Sequence, residues 1–368
     1  VRLGGDGFSV GGDVAPRPAS SAELLDALRK ALAQAPALAP EVPELPFQGG
    51  LVGAAGYDLV RFFEKLIREP GDSVPEGTWV APESLLVFDH LSRRAALLHA
   101  GPESERQALR REVIRALSGG VPFMPAGDFS DPVPSMSREA FLEAVDAAKE
   151  NIAAGDVYQL VLSIAFSGQC RVPPFQVYRA LRLLNPSPYM YFIELDGLAV
   201  AGSSPEALVR LNGRDAALRP IAGTRPRGRT EAADLRHEQE LLDDPKEAAE
   251  HVMLVDLARN DLGRVGVPGS ISVEPSRSIE RYSHVMHLVS GVTGTLEAGR
   301  DAFDLFAAAF PAGTLVGAPK VRAMELIDTY EPCPRELYAG TVGYFDKRGN
   351  MDQAIAIRTI VFSDGEYR

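Results

Sequence analysis

The chain has 368 residues, of which 45% are hydrophobic and 24% are charged, and its formal net charge at pH 7 is −12. At about 150 residues per domain, this length predicts two or three lobes and a large buried core. The negative charge argues against broad binding to nucleic acid or to an anionic membrane, so an anionic substrate would need a local positive group or a metal ion.

Two cysteines occur, Cys170 and Cys333, and no cysteine or histidine spacing typical of a zinc site accompanies them. This usage excludes a disulfide framework and predicts a reducing, cytoplasmic location. No apolar run approaches the roughly 20 residues of a membrane span, and the start shows no signal-peptide pattern. Because the chain begins at Val1 and stops at Arg368 just after a turn, we expect both ends to continue in a longer protein.

An N-terminal α/β region is predicted over residues 1–120. A serine cap and leucines at helical spacing predict a helix over 22–32, and a small-residue strand over 49–58 is followed by a helical pattern at 59–66. Strands at 84–89 and 94–98 precede a helix at 106–117. Four prolines and three glycines without periodicity between Leu117 and Ser137 then predict a linker, which we place at 121–136.

The region 137–368 has a denser pattern of elements. It predicts helices at 137–152, 175–184 and 243–261, and strands at 157–163, 189–193, 198–201, 207–210 and 281–290. The arginine-rich stretch 219–229 has two interpretations, a loop of solvated charge or a flexible cover that brings positive charge to an anion. Near the end, a Gly- and Pro-rich loop at 310–320 runs directly into a helix at 321–328.

Three features of this region could carry chemistry. Glu247 and Glu250 share one helix face and could hold a hard cation, although an isolated pair of surface glutamates is the commoner case. His284 and His287 fall on opposite faces of a strand, so we expect one of them to face a site. The start of the helix after 310–320 could bind an anion beside Thr314 and Lys320, or the loop could be a turn alone.

Six motifs in order, from Gly49-Gly-Leu-Val-Gly53 to Ile355-Ala-Ile-Arg-Thr359, resemble the chorismate-utilising enzymes, and among them the anthranilate synthase large subunits. The resemblance covers nearly the whole chain. It implies an α+β fold of stacked antiparallel β-sheets flanked by helices around a central cleft. Chorismate and Mg²⁺ would bind in that cleft.

The resemblance also implies roles for individual residues. Glu206, in Ser204-Pro-Glu206, resembles the general acid toward the departing C4 hydroxyl, and His287 the histidine associated with loss of pyruvate. Glu247 and Glu250 match metal-side carboxylates. The residues expected at the substrate are Thr314, Tyr338, Arg358, Gly223, Thr224 and Lys320. The expected tryptophan feedback segment is Asn185, Pro186, Ser187, Pro188, Tyr189 and Met190.

Two positions favour one member of the family. Family members that add water have a lysine base where this chain has Gln159, and glutamine cannot deprotonate water, whereas ammonia is already a nucleophile. Aminodeoxychorismate synthases commonly have a lysine, a candidate covalent nucleophile, at the position of Ala222. Because this chain has no lysine there, the position favours anthranilate as the product. The implied reaction is therefore chorismate plus ammonia giving anthranilate and pyruvate, with a separate glutamine amidotransferase subunit as the ammonia source.

Two alternatives stay open. One is another aminating enzyme, an aminodeoxychorismate or 2-amino-2-deoxyisochorismate synthase. The other is a catalytically inactive subunit that senses tryptophan or serves as a scaffold. We also expect a glycine-rich stretch and a second pair of metal carboxylates to lie beyond Arg368, because the resemblance implies both.

Overall fold

The computed structural model describes residues 1–5, 7–66, 74–120, 127–195, 197–282 and 284–368. Its helices follow from capping residues and apolar spacing, as at Ser20 and Ser137, whose side chains accept hydrogen bonds from the backbone N–H groups of Glu23 and Ala140. The α-helices are α1 (Ser21–Gln34), α2 (Glu103–Ser118), α3 (Arg138–Ala154), α4 (Pro174–Leu184), α5 (Glu231–Asp243), α6 (Pro245–Gly263), α7 (Ala302–Ala309) and α8 (Lys320–Tyr330).

The strands all pair in antiparallel fashion. They are β1 (Arg2–Gly4), β2 (Gly7–Val10), β3 (Asp13–Ala15), β4 (Gly50–Ala55), β5 (Gly77–Val80), β6 (Ser84–Asp89), β7 (Arg94–His99), β8 (Val133–Pro134), β9 (Gln159–Leu160), β10 (Phe166–Gln169), β11 (Tyr189–Leu195), β12 (Leu198–Ser204), β13 (Ala207–Asn212), β14 (Asp215–Leu218), β15 (Ile221–Pro226), β16 (Ser272–Val273), β17 (Ser278–Arg281), β18 (Val285–Val289), β19 (Val292–Thr295), β20 (Gly317–Ala318), β21 (Thr341–Asp346), β22 (Met351–Ile355), β23 (Thr359–Ser363) and β24 (Glu366–Tyr367).

The largest sheet has eleven strands in the order β16-β19-β14-β13-β22-β21-β4-β5-β1-β2-β3. Strands from the first 80 residues therefore pair directly with strands from the last 30, and the central contact is β4 against β21, with Gly53 opposite Gly343. A Cβ at Gly53 would come within 2.0 Å of the Thr78 carbonyl oxygen, so glycine permits this close approach. Both predicted regions contribute strands to this sheet, and the boundary at 121–136 stays a prediction.

The main core lies between this sheet and helices α1, α7 and α8. Phe303 stacks on Phe345 of β21 at 4.5 Å between ring centroids, and Phe306 packs against Phe310 at 5.2 Å. Burying such rings supplies the largest apolar contribution per residue. This packing places the loop after α7, which carries Thr314, directly against the sheet.

A second sheet has six strands in the order β11-β12-β23-β24-β10-β8. The predicted strands at 189–193 and 198–201 are confirmed here, each extended by a few residues. The segment predicted as a linker is partly built into this sheet, because Val133 and Pro134 pair with Ser167 and Phe166. Residues 121–126 of that segment lie outside the described residues.

Three local predictions need correction. The helical pattern at 59–66 forms a 3₁₀ helix, Tyr57–Phe62, whose start is fixed by a hydrogen bond from the Tyr57 N–H to the Glu336 carbonyl. The strand expected at 157–163 is limited to β9, because its only ladder partner, among the described residues, is the two-residue strand β20. The arginine-rich stretch 219–229 is neither a solvated loop nor a flexible cover; it contains β15, and Arg225 and Arg227 form ion pairs with Asp244 and Asp234.

No helix among the described residues is long and apolar enough to cross a membrane.

Candidate active site

Glu206 lies in the turn between β12 and β13, and its backbone carbonyl is fixed by the Ile355 N–H at 3.0 Å. Its carboxyl faces a cavity of about 40 Å³ lined largely by apolar side chains, among them Leu208, Leu254 and Leu257. Burial raises the pKa of Glu206 from 4.5 to about 8, and a hydrogen bond from Thr314 lowers it in part. Glu206 is therefore mostly protonated at neutral pH.

Thr314 reaches Glu206 from a short 3₁₀ helix, Gly313–Leu315, and its Oγ1 lies 3.4 Å from Glu206 Oε1. Leu257 of α6 packs against this turn, and a Cβ at Gly313 would come within 2.7 Å of that side chain. The small residue before Thr314 thus permits the close packing that aims the hydroxyl at the carboxyl.

His287 lies on β18, opposite Thr224 of β15. Its Nδ1 is 3.1 Å from the Gly223 carbonyl oxygen and 3.0 Å from Thr224 Oγ1. Burial lowers the pKa of His287, the Gly223 hydrogen bond raises it, and the charge of Arg358 lowers it further. Because a carbonyl oxygen can only accept, Nδ1 carries the proton of the neutral ring and Nε2 keeps its lone pair.

Gly223 occupies a β-bulge at positive φ (62°), a conformation that favours glycine. A Cβ there would also come within 3.0 Å of Glu247 Oε2, so the absence of a side chain leaves room for that carboxylate. The side chains of His287 on β18 and Glu247 on α6 therefore both lie next to Gly223 in the bulge of β15.

Helix α6 begins after Asp244, whose carboxylate accepts hydrogen bonds from the Lys246 and Glu247 N–H groups. One turn along, Glu247 Oε1 accepts a hydrogen bond from Arg225 at 3.3 Å. Glu250 Oε1 accepts a hydrogen bond from Gln159 Nε2 at 3.1 Å. The structure therefore brings together Gln159 and Glu250, which are 91 residues apart in the sequence.

The two glutamates offer oxygen ligands of the kind that Mg²⁺ binds, often through one or two carboxylates with several retained waters. Across the described ranges, no group of three or more His, Cys, Asp or Glu side chains is arranged to hold a metal ion. Two carboxylates near the start of one helix are a donor set that suits a magnesium ion with several retained waters, and the magnesium site stays a prediction.

Tyr338 lies shortly before β21, and Arg358 lies between β22 and β23. Arg358 has a positive φ of 50°, and its carbonyl oxygen accepts a hydrogen bond from the Ser203 N–H at 3.1 Å. Its side chain is exposed and acts electrostatically on His287. Tyr338 lines a cavity of about 320 Å³, is 37% exposed, and lies 5.5 Å from the Arg335 guanidinium carbon.

Lys320 occupies a different environment from the one expected of a free cation at a helix start. Its ammonium donates to both oxygens of Asp261, at 2.8 and 2.9 Å, and to the Ala309 carbonyl at 3.2 Å. Both side chains of the pair are less than one-tenth exposed. The positive charge is thus neutralised within the protein, and the substrate role of Lys320 stays a prediction.

The stretch 185–190 joins α4 to β11 and packs on the sheets. The Ser203 hydroxyl donates to the Asn185 carbonyl. Tyr189 Oη donates to Asp352 at 3.1 Å, and the guanidinium of Arg210 lies 5.6 Å from its ring centroid. This stretch is therefore fixed at both of its ends.

Sequence reasoning missed two buried ion pairs beside these residues, Asp261 with Lys320 and Glu331 with Arg335. The second pair had a local signal, because the two residues are four apart in an otherwise uncharged run, Glu331-Pro-Cys-Pro-Arg335. The first had none, since its members are 59 residues apart.

A family model described as chorismate binding enzyme matches residues 9–368. This chain belongs to the chorismate-binding enzyme family. Among relatives, it is 47% identical to anthranilate synthase component 1 of Thermus thermophilus over 89% of this chain and 71% of that protein. It is 46% identical to the component 1 of Streptomyces coelicolor over 97% of this chain and 73% of that protein.

The chorismate-binding fold is equally evident in three dimensions. The crystal structure of anthranilate synthase component I from Streptococcus pneumoniae superposes with a TM-score of 0.87 at 33% identity, over 100% of this chain and 82% of that one. Helices packed on several antiparallel sheets, as expected from the sequence, are therefore confirmed.

Proposed function

We propose that this protein is the large subunit of an anthranilate synthase, which converts chorismate and ammonia to anthranilate and pyruvate in the first step of tryptophan biosynthesis. Its relatives at 46–47% identity carry that name. The structural observation that carries the proposal is Glu206, a carboxyl whose pKa of about 8 keeps it protonated at neutral pH beside Thr314. Loss of the C4 hydroxyl of chorismate needs such an acid.

In this reaction Glu206 donates its proton to the C4 oxygen as that oxygen leaves. The Thr314 hydroxyl holds the carboxyl in place and stabilises the carboxylate that forms. His287, neutral and with Nε2 free of the Gly223 contact, takes the proton from C2 as the bond between C3 and the enolpyruvyl oxygen breaks. The ring becomes aromatic, and the enolpyruvate that leaves gains a proton and becomes pyruvate. The acid and the base are thus separate groups with pKa values shifted in opposite directions.

Ammonia rather than water is the nucleophile that these residues support. The amide of Gln159 cannot remove a proton from water, and its hydrogen bond to Glu250 holds it in one orientation. Ala222 is buried and offers no nucleophile of its own. Both observations favour amination at C2 over hydration or a covalent step.

We further propose that Glu247 and Glu250 hold Mg²⁺ against the ring carboxylate of chorismate. The bound ion would supply Lewis-acid stabilisation of developing negative charge. Arg358, Tyr338, Gly223 and Thr224 would hold the carboxylates of the substrate, with the guanidinium as the positive partner. A chain of net charge −12 can bind a doubly anionic ring acid in this way, because the positive groups are local.

We also propose a partner, a regulator and a location for this protein. A glutamine amidotransferase subunit would deliver ammonia, and tryptophan would inhibit by binding at Asn185–Met190. The anchoring of Tyr189 on Asp352 supports the second point, since a ligand there would act on a strand joined to the large sheet. The cytoplasm is the proposed location, in keeping with the unpaired thiols of Cys170 and Cys333.

The experiment is an assay of chorismate consumption with ammonium and Mg²⁺, in which the product is identified by fluorescence and mass. Anthranilate and pyruvate in equal amounts are expected, and Glu206→Gln protein prepared in parallel gives the background. Release of a non-fluorescent aminated product would favour an aminodeoxychorismate or 2-amino-2-deoxyisochorismate synthase. Tryptophan binding without any turnover would favour the inactive sensing subunit.

A further inference from the structure

The ion pair of Arg335 and Glu331 is almost completely buried and has no role in the reaction described above. Its side chains are 1% and 5% exposed, and the guanidinium contacts the carboxylate twice, at 2.6 and 2.9 Å. A buried charge pair often contributes little more to stability than apolar residues of similar volume.

The remaining donors of Arg335 reach two backbone carbonyls. Nη1 donates to the Leu315 oxygen at 2.7 Å, and Nη2 donates to the Val161 oxygen at 2.7 Å. These carbonyls belong to two chain segments that pair with each other, because the Val161 N–H donates to the Val316 oxygen at 2.9 Å and β9 pairs with β20. One planar guanidinium thus closes the end of this ribbon, which comprises residues 158–161 and 315–318.

The ribbon contains one of the predicted site residues and directly adjoins another. Gln159 lies in β9, two residues before Val161, and Thr314 directly precedes Leu315. The same guanidinium carbon lies 5.5 Å from the Tyr338 ring centroid. The Arg335 side chain therefore contacts the backbone beside Gln159, the backbone beside Thr314, and the ring of Tyr338.

Glu331 extends the support beyond the ribbon. Its Oε1 accepts hydrogen bonds from the Ser163 N–H at 2.8 Å and from the Ser163 hydroxyl at 2.9 Å. Because Glu331 follows the last residue of α8, the carboxylate ties the ribbon to the end of a helix packed in the main core.

We infer that Arg335, held by Glu331, is a positioning residue that fixes the Gln159 amide relative to the Thr314 hydroxyl during the amination of chorismate; the inference rests on the proposed function. The guanidinium suits this task because its donors lie in one plane with fixed spacing. A lysine ammonium is a point charge and would leave one of the three acceptors unpaired or poorly oriented.

The test compares Arg335→Lys with Arg61→Lys, a matched control. The Arg61 side chain is also buried, at 10% exposure, and makes a two-point contact to a carboxylate at the same helix, Asp328 of α8, at 3.0 and 3.1 Å. It lies outside the ribbon. Both substitutions keep the charge and remove the planar group, so we expect similar decreases in Tm.

The kinetic outcomes should differ. Arg335→Lys is expected to lower kcat with chorismate and ammonium by about 10- to 100-fold, because misplacing reacting groups by an ångström has effects of that size. KM for chorismate should change by less than about threefold, and Arg61→Lys should stay within about twofold of wild type in both constants. Equal kcat losses in the two variants would overturn the inference.

Hydrogen exchange tests the same inference without turnover. The amides of Tyr158 and Val161, which bond across the ribbon, should exchange at least about tenfold faster in Arg335→Lys than in wild type and Arg61→Lys. Exchange of these amides in Arg335→Lys at the wild-type rate would refute the positioning role. A wild-type enzyme that makes no anthranilate would instead refute the proposed function. If Arg335→Lys does not fold, Glu331→Gln provides the comparison, with an expected kcat loss of about 3- to 10-fold.

Discussion

Glu206 and Glu250 are the same type of residue in two different surroundings. Glu206 faces a small apolar cavity, accepts one weak hydrogen bond from Thr314, and has a pKa raised to about 8. Glu250 lies on a helix face, accepts a hydrogen bond from Gln159, and lines an open pocket of about 750 Å³. Desolvation keeps the Glu206 carboxyl protonated, as its proposed role of proton donor requires, whereas Glu250 is open to solvent, as its proposed role of metal ligand requires.

The substitution Glu206→Gln tests the acid side of this comparison and should have the largest effect. It keeps the shape and removes the proton, so kcat should fall by about 10²- to 10⁴-fold. The exposed Glu194→Gln serves as control and should leave kcat unchanged. A loss of less than about fivefold would show that another group protonates the leaving oxygen.

The raised pKa of Glu206 leads us to expect two effects of pH. Wild-type kcat/KM should decline above about pH 8, as Glu206 ionises. Because folding raises this pKa from 4.5, its stabilising contribution is complete below pH 4.5 and is lost as pH rises through about 8. The unfolding free energy of Glu206→Gln, measured with urea at pH 5 and pH 8, should therefore fall less with pH than that of wild type.

His287→Met should have the next largest effect. It removes the Nε2 lone pair, so anthranilate should form about 100-fold more slowly while an aminated intermediate accumulates in product analysis by mass. His284→Met is the matched control, since His284 is exposed just before β18. Anthranilate formation at the wild-type rate in His287→Met would exclude His287 from the elimination step.

Glu250→Gln tests the metal side. The loss of one charged ligand should raise the Mg²⁺ concentration for half-maximal activity by about 10- to 100-fold, with the melting temperature nearly unchanged. Asp256→Asn, on the same helix and 64% exposed, should leave the Mg²⁺ requirement unaltered. An unchanged Mg²⁺ requirement in Glu250→Gln would show that Glu250 is not a ligand of the metal.

Thr314→Val should have the smallest effect of these substitutions. The hydroxyl lowers the pKa of Glu206, so its removal should raise that pKa and move the alkaline limb of the pH profile upward by about half a unit. Thr314→Ser keeps the hydroxyl and should restore the wild-type profile. A downward shift would mean that Thr314 accepts from a protonated Glu206 more than it donates.

Much of the local structure was predictable from the sequence. The helices capped by Ser20 and Ser137 are confirmed, and so are the strands at 84–89 and 94–98, because caps and periodic apolar residues act within a few residues of one another. The prediction was wrong for the arginine-rich stretch 219–229, where the partners of Arg225 and Arg227 lie on α5 and at the start of α6. Propensity carries no information about such distant partners.

The candidate site divides in the same way. The i, i+3 spacing of Glu247 and Glu250 placed both on one helix face from the sequence alone. The contact of Gln159 with Glu250 and that of Thr314 with Glu206 join residues 91 and 108 positions apart. No periodicity in the sequence could have paired them.

The order of residues determined the family, the capped helices and the chemical types present at the site, because each of these depends on side chains near one another in the chain. Tertiary structure alone decided that Glu206 keeps its proton, that Lys320 is committed to Asp261, and that Arg335 closes the ribbon. The reason is physical: pKa values and charge pairing depend on which distant groups exclude water from a side chain, and only the folded chain brings those groups together.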